Sequence, residues 1–212
     1  MERIPENSNL HLSINDSIRI TNFFKLNKNV RVYANIGTHG IDGCLSSFLG
    51  QAAAYNDPSF LIIGDLSFFY GMNALRIKNI DNNVHILLIN NHGGSEFYFN
   101  KMYSDKYSDL HTTARHNSTA KGWVESNNFN YFAVHNKKEF NQNINKFMDS
   151  KNDKPVFMEV FTEMSTDAEE IYKFFDLSRP KDVRSEAIRK SKDWVKAKIG
   201  QQRVQRFLNL FK

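Results

Sequence analysis

Two short apolar runs in this 212-residue chain each end in a cluster of polar and glycine residues. Residues 60–63 run into Gly64-Asp65-Leu66-Ser67, and residues 84–89, apolar but for His85, run into Asn90-Asn91-His92-Gly93-Gly94, with 22 residues between Ser67 and Asn90. Continuous apolar runs of this length read as strands buried on both faces of a parallel sheet. Neighbouring parallel strands bring their following loops to one edge, where such sheets bind ligands. Asp65 offers a carboxylate, Asn91 an amide oxygen and Gly93 a backbone carbonyl. That donor set suits a magnesium ion that completes its octahedron with phosphate oxygens and water. Gly93 and Gly94 let the backbone approach a diphosphate without a Cβ in the way, and glycine turns and helix starts present N–H groups to it. Taken singly, Asp65 reads as a helix N-cap and Asn90-Asn91 as turn residues. Their joint occurrence at two strand ends is what points to a metal and a phosphate.

The elements that must position these residues follow from the pattern of apolar residues. Strands are expected at residues 10–14, 30–34, 60–63, 84–89, 131–134 and 156–161. Helices are expected at 16–24, 44–55, 68–77, 118–126, 137–148 and 166–175. The alternation predicts an α/β fold, with a mainly parallel sheet of about six strands and helices on both faces. Residues 95–117 show little periodicity, and long irregular segments of this kind are commonly functional. Pro180 marks a boundary, dividing the chain into a module over 1–178 and a basic helical tail over 179–212. In that tail Ile188, Val195, Ile199, Phe207 and Phe211 fall on one stripe, suited to packing on the module or a partner.

Charge and composition narrow the classes. The chain carries a net charge of +5, but the tail alone holds eleven Lys/Arg against three Asp/Glu. The module is therefore slightly acidic, which argues against nucleic-acid binding. Aromatic residues reach 13%, unlike a disordered chain. No apolar run spans a bilayer, and the N-terminus lacks an apolar signal core, so a cytoplasmic location is expected. Cys44 is the single cysteine; it forms no intrachain disulfide and reads as a small buried helix residue.

Gly64-Asp65-Leu66-Ser67 and Leu88-Ile89-Asn90-Asn91-His92-Gly93-Gly94 together resemble the fingerprint of thiamine diphosphate-dependent enzymes. Ala34-Asn35-Ile36-Gly37-Thr38-His39-Gly40-Ile41-Asp42-Gly43 and Gly64-Asp65-Leu66-Ser67-Phe68-Phe69-Tyr70 are similar to blocks of one branch, the menaquinone-pathway carboligases. The likeness extends over residues 10–97 and, more loosely, 156–161. It implies that Asp65, Asn91 and the Gly93 carbonyl hold Mg2+. Gly64, Leu66, Ser67 and Gly94 would lie on the cofactor's diphosphate side. Ile41 would be the apolar wedge beneath the cofactor, and the backbone near His39 would touch its aminopyrimidine. The implied reaction is decarboxylation of a 2-oxo acid with transfer of the acyl-type carbanion to an acceptor, a chemistry that the cofactor carries and the protein orients.

Two departures from the branch point to a different substrate. Ile36 stands where an arginine contacts a substrate carboxylate, and Ser95-Glu96-Phe97 replaces a Gly-Ile-Phe segment. The family's activating glutamate belongs to a pyrimidine-binding domain, so that domain is expected as a partner domain or subunit in a homo- or hetero-oligomer. Within the chain, Glu96, His111 and His116 are the acid–base candidates, each of which also reads as an ordinary loop residue. The alternatives are one subunit of a two-chain 2-oxo acid decarboxylase, a non-catalytic scaffold that keeps the fold, and a binding module that works through its basic tail.

Overall fold

The computed structural model describes residues 1–37, 39–98 and 112–178, together with 190, 191 and 194. His111 and nearly all of the basic tail lie outside the described residues. Six strands form one sheet: β1 (Asn9–Leu12), β2 (Arg31–Ala34), β3 (Ser59–Gly64), β4 (Val84–Asn90), β5 (Asn130–Val134) and β6 (Val156–Phe161). Their order is β2-β1-β3-β4-β6-β5, and every pairing is parallel. The expected α/β architecture is therefore the one observed.

The central strands are apolar on both faces because helices cover both. Successive residues of a strand point to opposite sides, so Leu61 and Ile63 join one core while Phe60 and Ile62 join the other. On the first side, helices α1 (Asp16–Thr21) aside, α2 (Cys44–Ala53) and α3 (Asp65–Gly71) bring Leu45, Phe48 and Phe68 against Ile86, Leu88 and Phe157. Cys44 is fully buried in that layer. After the short helices α4 (Ser95–Tyr98) and α5 (Lys121–Ser126), α6 (Lys137–Met148) covers the second side, setting Ile144 and Phe147 beside Leu10, Phe60 and Met158. Asn136 caps α6 by accepting the Glu139 N–H at 3.0 Å, and Glu139 accepts the His135 N–H at 2.8 Å in return. Helix α7 (Met164–Ser178) follows β6 after two residues. Among the described residues no helix is long and apolar enough to cross a membrane.

Several boundaries differ from the expectation: β1 ends at Leu12 and not at 14, α1 at Thr21 and not at 24, and α5 starts at Lys121 and not at 118. Helix α3 begins at Asp65, not at 68, because β3 runs straight into it with extended Gly64 at the cap position. Asp65 is therefore in the first helical turn, where a negative charge is favoured, and is not the N-cap. Helix α7 runs from 164 to 178 where 166–175 was expected. The stretch after Asn91 is not wholly irregular, since Ser95–Tyr98 forms one helical turn.

Candidate functional site

The β3–β4 register aligns Gly64 with Ile89, so the two loop clusters leave the sheet side by side. Beyond them the chain reverses its direction of progress: β2 lies outside β1 on one side, while β3 and β4 follow on the other. A crevice at such a switch point is the usual ligand site of an open parallel sheet. A pocket of about 280 Å3 opens there. His39, Ile41, Gly64, Asp65, Leu66, Ser67, Asn91, Gly93 and Gly94 all line it, as does Glu96.

Asp65 is 2% exposed. Its Oδ1 accepts the N–H of Leu66 at 2.6 Å, and its Oδ2 accepts the N–H of Gly93 at 2.9 Å. The His116 Nε2 stands 3.2 Å from Oδ2, at ion-pair distance but out of hydrogen-bond alignment. Burial pushes the Asp65 carboxyl above the usual carboxylate range, with His116 and the two backbone N–H groups pulling the other way. A buried carboxylate with this tendency is a good receiver for a cation.

Asn91 is 8% exposed, and its Nδ2 donates to Asp167 Oδ2 at 3.1 Å. Asp167 Oδ2 also accepts the Thr162 hydroxyl at 2.6 Å. Asp167 thus fixes which end of the amide is the donor, and among the described residues no donor reaches Asn91 Oδ1. Its neighbour Asn90 does different work: fully buried, it donates to Glu159 at 2.7 Å and to the Ser118 carbonyl at 3.0 Å, and it accepts the His92 N–H at 3.2 Å. One asparagine anchors the loop while the next faces the pocket.

Glycine is required at 93. A Cβ there would sit 2.7 Å from the Thr113 carbonyl oxygen and 2.7 Å from Met164 Cε. Gly94 donates its N–H to the same carbonyl at 2.7 Å, and His116 donates its backbone N–H to His92 O at 3.1 Å. The segment around 113–116 therefore lies directly over the loop.

The remaining candidates are already engaged. The Ser67 hydroxyl donates to the Ile41 carbonyl and accepts from Ser13 at 3.1 Å. Its one proton is committed within the protein, so in this arrangement the hydroxyl is not a donor to a diphosphate. Glu96 pairs with Arg19 at 2.7 Å. His116 sits behind Asp65, beside Phe69, and does not line the pocket. Asp167, Asp16, Ser13 and Thr113 escaped the reading of the sequence. Asp167 lies 76 residues from Asn91, so no local motif joins them; an acidic residue shortly after β6, next to β4 in the sheet, was the available signal.

Among the described residues no group of three or more His, Cys, Asp or Glu side chains could hold a metal ion. One carboxylate, one amide oxygen and a backbone carbonyl form a smaller set, which fits a magnesium ion that also takes phosphate oxygens. The residues present fit that group.

No family model matches the chain. Curated relatives do. The 2-succinyl-5-enolpyruvyl-6-hydroxy-3-cyclohexene-1-carboxylate synthase of Phocaeicola vulgatus is 39% identical over 166 residues, covering 77% of this chain and 30% of the relative. Proteins of the same name from Bacteroides fragilis and Christiangramia forsetii are 38% and 34% identical, over 79% and 84% of this chain and 31% of their own length. The chain thus spans about three tenths of the length of the relatives it matches.

Proposed function

We propose that this chain, homologous to about three tenths of these synthases, is the module of a thiamine diphosphate-dependent enzyme that binds the cofactor's diphosphate through Mg2+. The observation that carries this reading is the convergence of Asp65 and Asn91 on one pocket, tied by the Gly93 N–H on Asp65 Oδ2. Asp65 supplies a carboxylate, Asn91 the amide oxygen that Asp167 leaves over, and Gly93 its carbonyl. A cation held at Asp65 would compete with His116 for the same carboxylate. Gly64, Leu66, Ser67 and Gly94 take the diphosphate side, and Ile41 and His39 line the same pocket. When bound, thiamine diphosphate supplies a thiazolium that stabilises the carbanion left when a 2-oxo acid loses carbon dioxide. This chain's residues bind and orient it, holding the diphosphate so that the reactive carbon is presented in one position.

On this reading the complete enzyme is a 2-oxo acid decarboxylase and carboligase. A pyrimidine-binding domain or subunit contributes the activating glutamate. Ile36, exposed at 57%, offers a substrate carboxylate no charge-assisted partner, which supports a substrate unlike that of the named relatives. Calorimetric titration of thiamine diphosphate with and without Mg2+ tests the site. Asp65→Ala is expected to abolish the magnesium-dependent part of binding, and unchanged affinity would refute the assignment.

A further inference from the structure

Among the described residues, the pocket's walls carry more acidic than basic side chains. Among the described residues that line it are four carboxylates (Asp16, Asp65, Glu96 and Asp167) and no lysine or arginine. Asp65 and Asp167 are accounted for by the metal and by Asn91. Asp16 and Glu96 converge from different elements on one guanidinium. Arg19, near the end of α1, directs Nη2 to Glu96 Oε1 at 2.7 Å and Nη1 to Asp16 Oδ1 at 3.3 Å. Ser95 secures Asp16 from the other side, its hydroxyl donating to Oδ2 at 2.9 Å. Both terminal nitrogens of Arg19 thus face acids of the pocket wall, while Arg19 itself does not line it.

We propose that Glu96 sets substrate specificity: by holding Arg19 it makes the pocket accept a 2-oxo acid with an uncharged side chain and turn away one bearing a second carboxylate. The inference rests on the cofactor reading above for the words "2-oxo acid". The pairing of Arg19 with Glu96 and Asp16 does not depend on the cofactor. An incoming carboxylate would have to displace Glu96 to reach the guanidinium, leaving a displaced acid unpaired beside Asp16, and like charges in a partly buried site repel strongly. The same walls carry Ile14, Ile20, Ile89, Phe97 and Ile171, which suit an aliphatic group.

The test uses the purified chain and two small probes, glutarate as the dicarboxylate and butyrate as the uncharged-chain monocarboxylate, with affinities read by NMR titration. The wild-type protein is expected to bind butyrate more tightly than glutarate. Glu96→Gln is expected to tighten glutarate about five- to tenfold while leaving butyrate within about twofold, and adding Arg19→Gln removes the gain. A glutarate affinity equal in wild type and Glu96→Gln, or a gain that survives Arg19→Gln, overturns the proposal. Should Glu96→Gln fail to fold, wild-type protein that prefers glutarate overturns it alone. Thiamine diphosphate and Mg2+ titrated into the same samples separate the two readings: absent cofactor binding with the probe pattern intact sinks the cofactor assignment and leaves the charge selection standing.

Discussion

Gly93 donates its backbone N–H to the Oδ2 of Asp65 at 2.9 Å, joining the loop after β4 to the first turn of α3, 28 residues away in the chain. The bond makes the geometry of the pocket a property of both segments at once. A change at either end is felt by the carboxylate.

Gly93→Ala tests that dependence. The added methyl would stand 2.7 Å from a backbone oxygen that cannot swing away as a side chain would. A loss of about 2–4 kcal/mol is expected from overpacking and displacement of the loop, read by urea unfolding. Gly94→Ala meets mainly the edge of the Phe97 ring at 3.0 Å and should cost less. Equal effects at the two positions would contradict the account.

Asp167→Ala should weaken magnesium-dependent cofactor binding about tenfold or more, the usual scale for removing a residue that orients a metal ligand. Asn91 would be free to turn its amide. Asp167→Asn keeps an oxygen for the Asn91 and Thr162 donors and should retain most of the affinity. Calorimetry distinguishes the two variants, and a melting temperature near that of wild type would show that orientation rather than folding was lost.

Glu159 is fully buried on β6 and accepts from Tyr131 at 2.6 Å, Asn90 at 2.7 Å and the Ala120 N–H at 3.1 Å. Burial and this partner push the Tyr131 hydroxyl well above its ordinary range, so it stays a donor. Glu159→Ala strands those donors and should destabilise the chain by about 3 kcal/mol or more. Tyr131→Phe removes one donor of several and should cost about 1–2 kcal/mol. Chemical denaturation of both variants checks the ranking.

His85 gives a pH signature remote from the pocket. It is fully buried, stacks on Phe60, and has its Nδ1 at 2.7 Å from the Phe147 carbonyl. Burial lowers its pKa from 6.5 to about 4. The unfolded chain therefore takes up a proton near pH 6.5 that the folded chain refuses until about pH 4. This contribution to stability is complete above pH 6.5 and declines as the pH falls between those values, by about 3 kcal/mol in all. Urea midpoints over that range should show the slope, and His85→Phe should flatten it.

The legible parts of the fold were those whose signal is local. Residues 86–89 are apolar without interruption because β4 has helices over both faces, and Lys137–Met148 matched its expected bounds because a capping asparagine and a periodic apolar stripe act within one helix. The start of α3 was misplaced because Gly64 and Asp65 look like loop residues until β3 is seen to enter the helix without a turn. Ser67 lines the pocket, but its proton goes to Ile41, 26 residues away. Glu96 was recognised as a carboxylate by the pocket, but nothing near it in the chain announces Arg19, 77 residues earlier.

Residue types and spacing alone determined the alternating fold and set Asp65 and Asn91 at the ends of neighbouring strands, because those features depend on contacts within one element or between strands that must be neighbours. Only the tertiary structure decided that Asp167 orients Asn91, that His116 stands at Asp65, and that Glu96 holds Arg19. Each of these joins side chains from elements far apart in the chain, and their meeting is set by strand order and register, which no local pattern encodes.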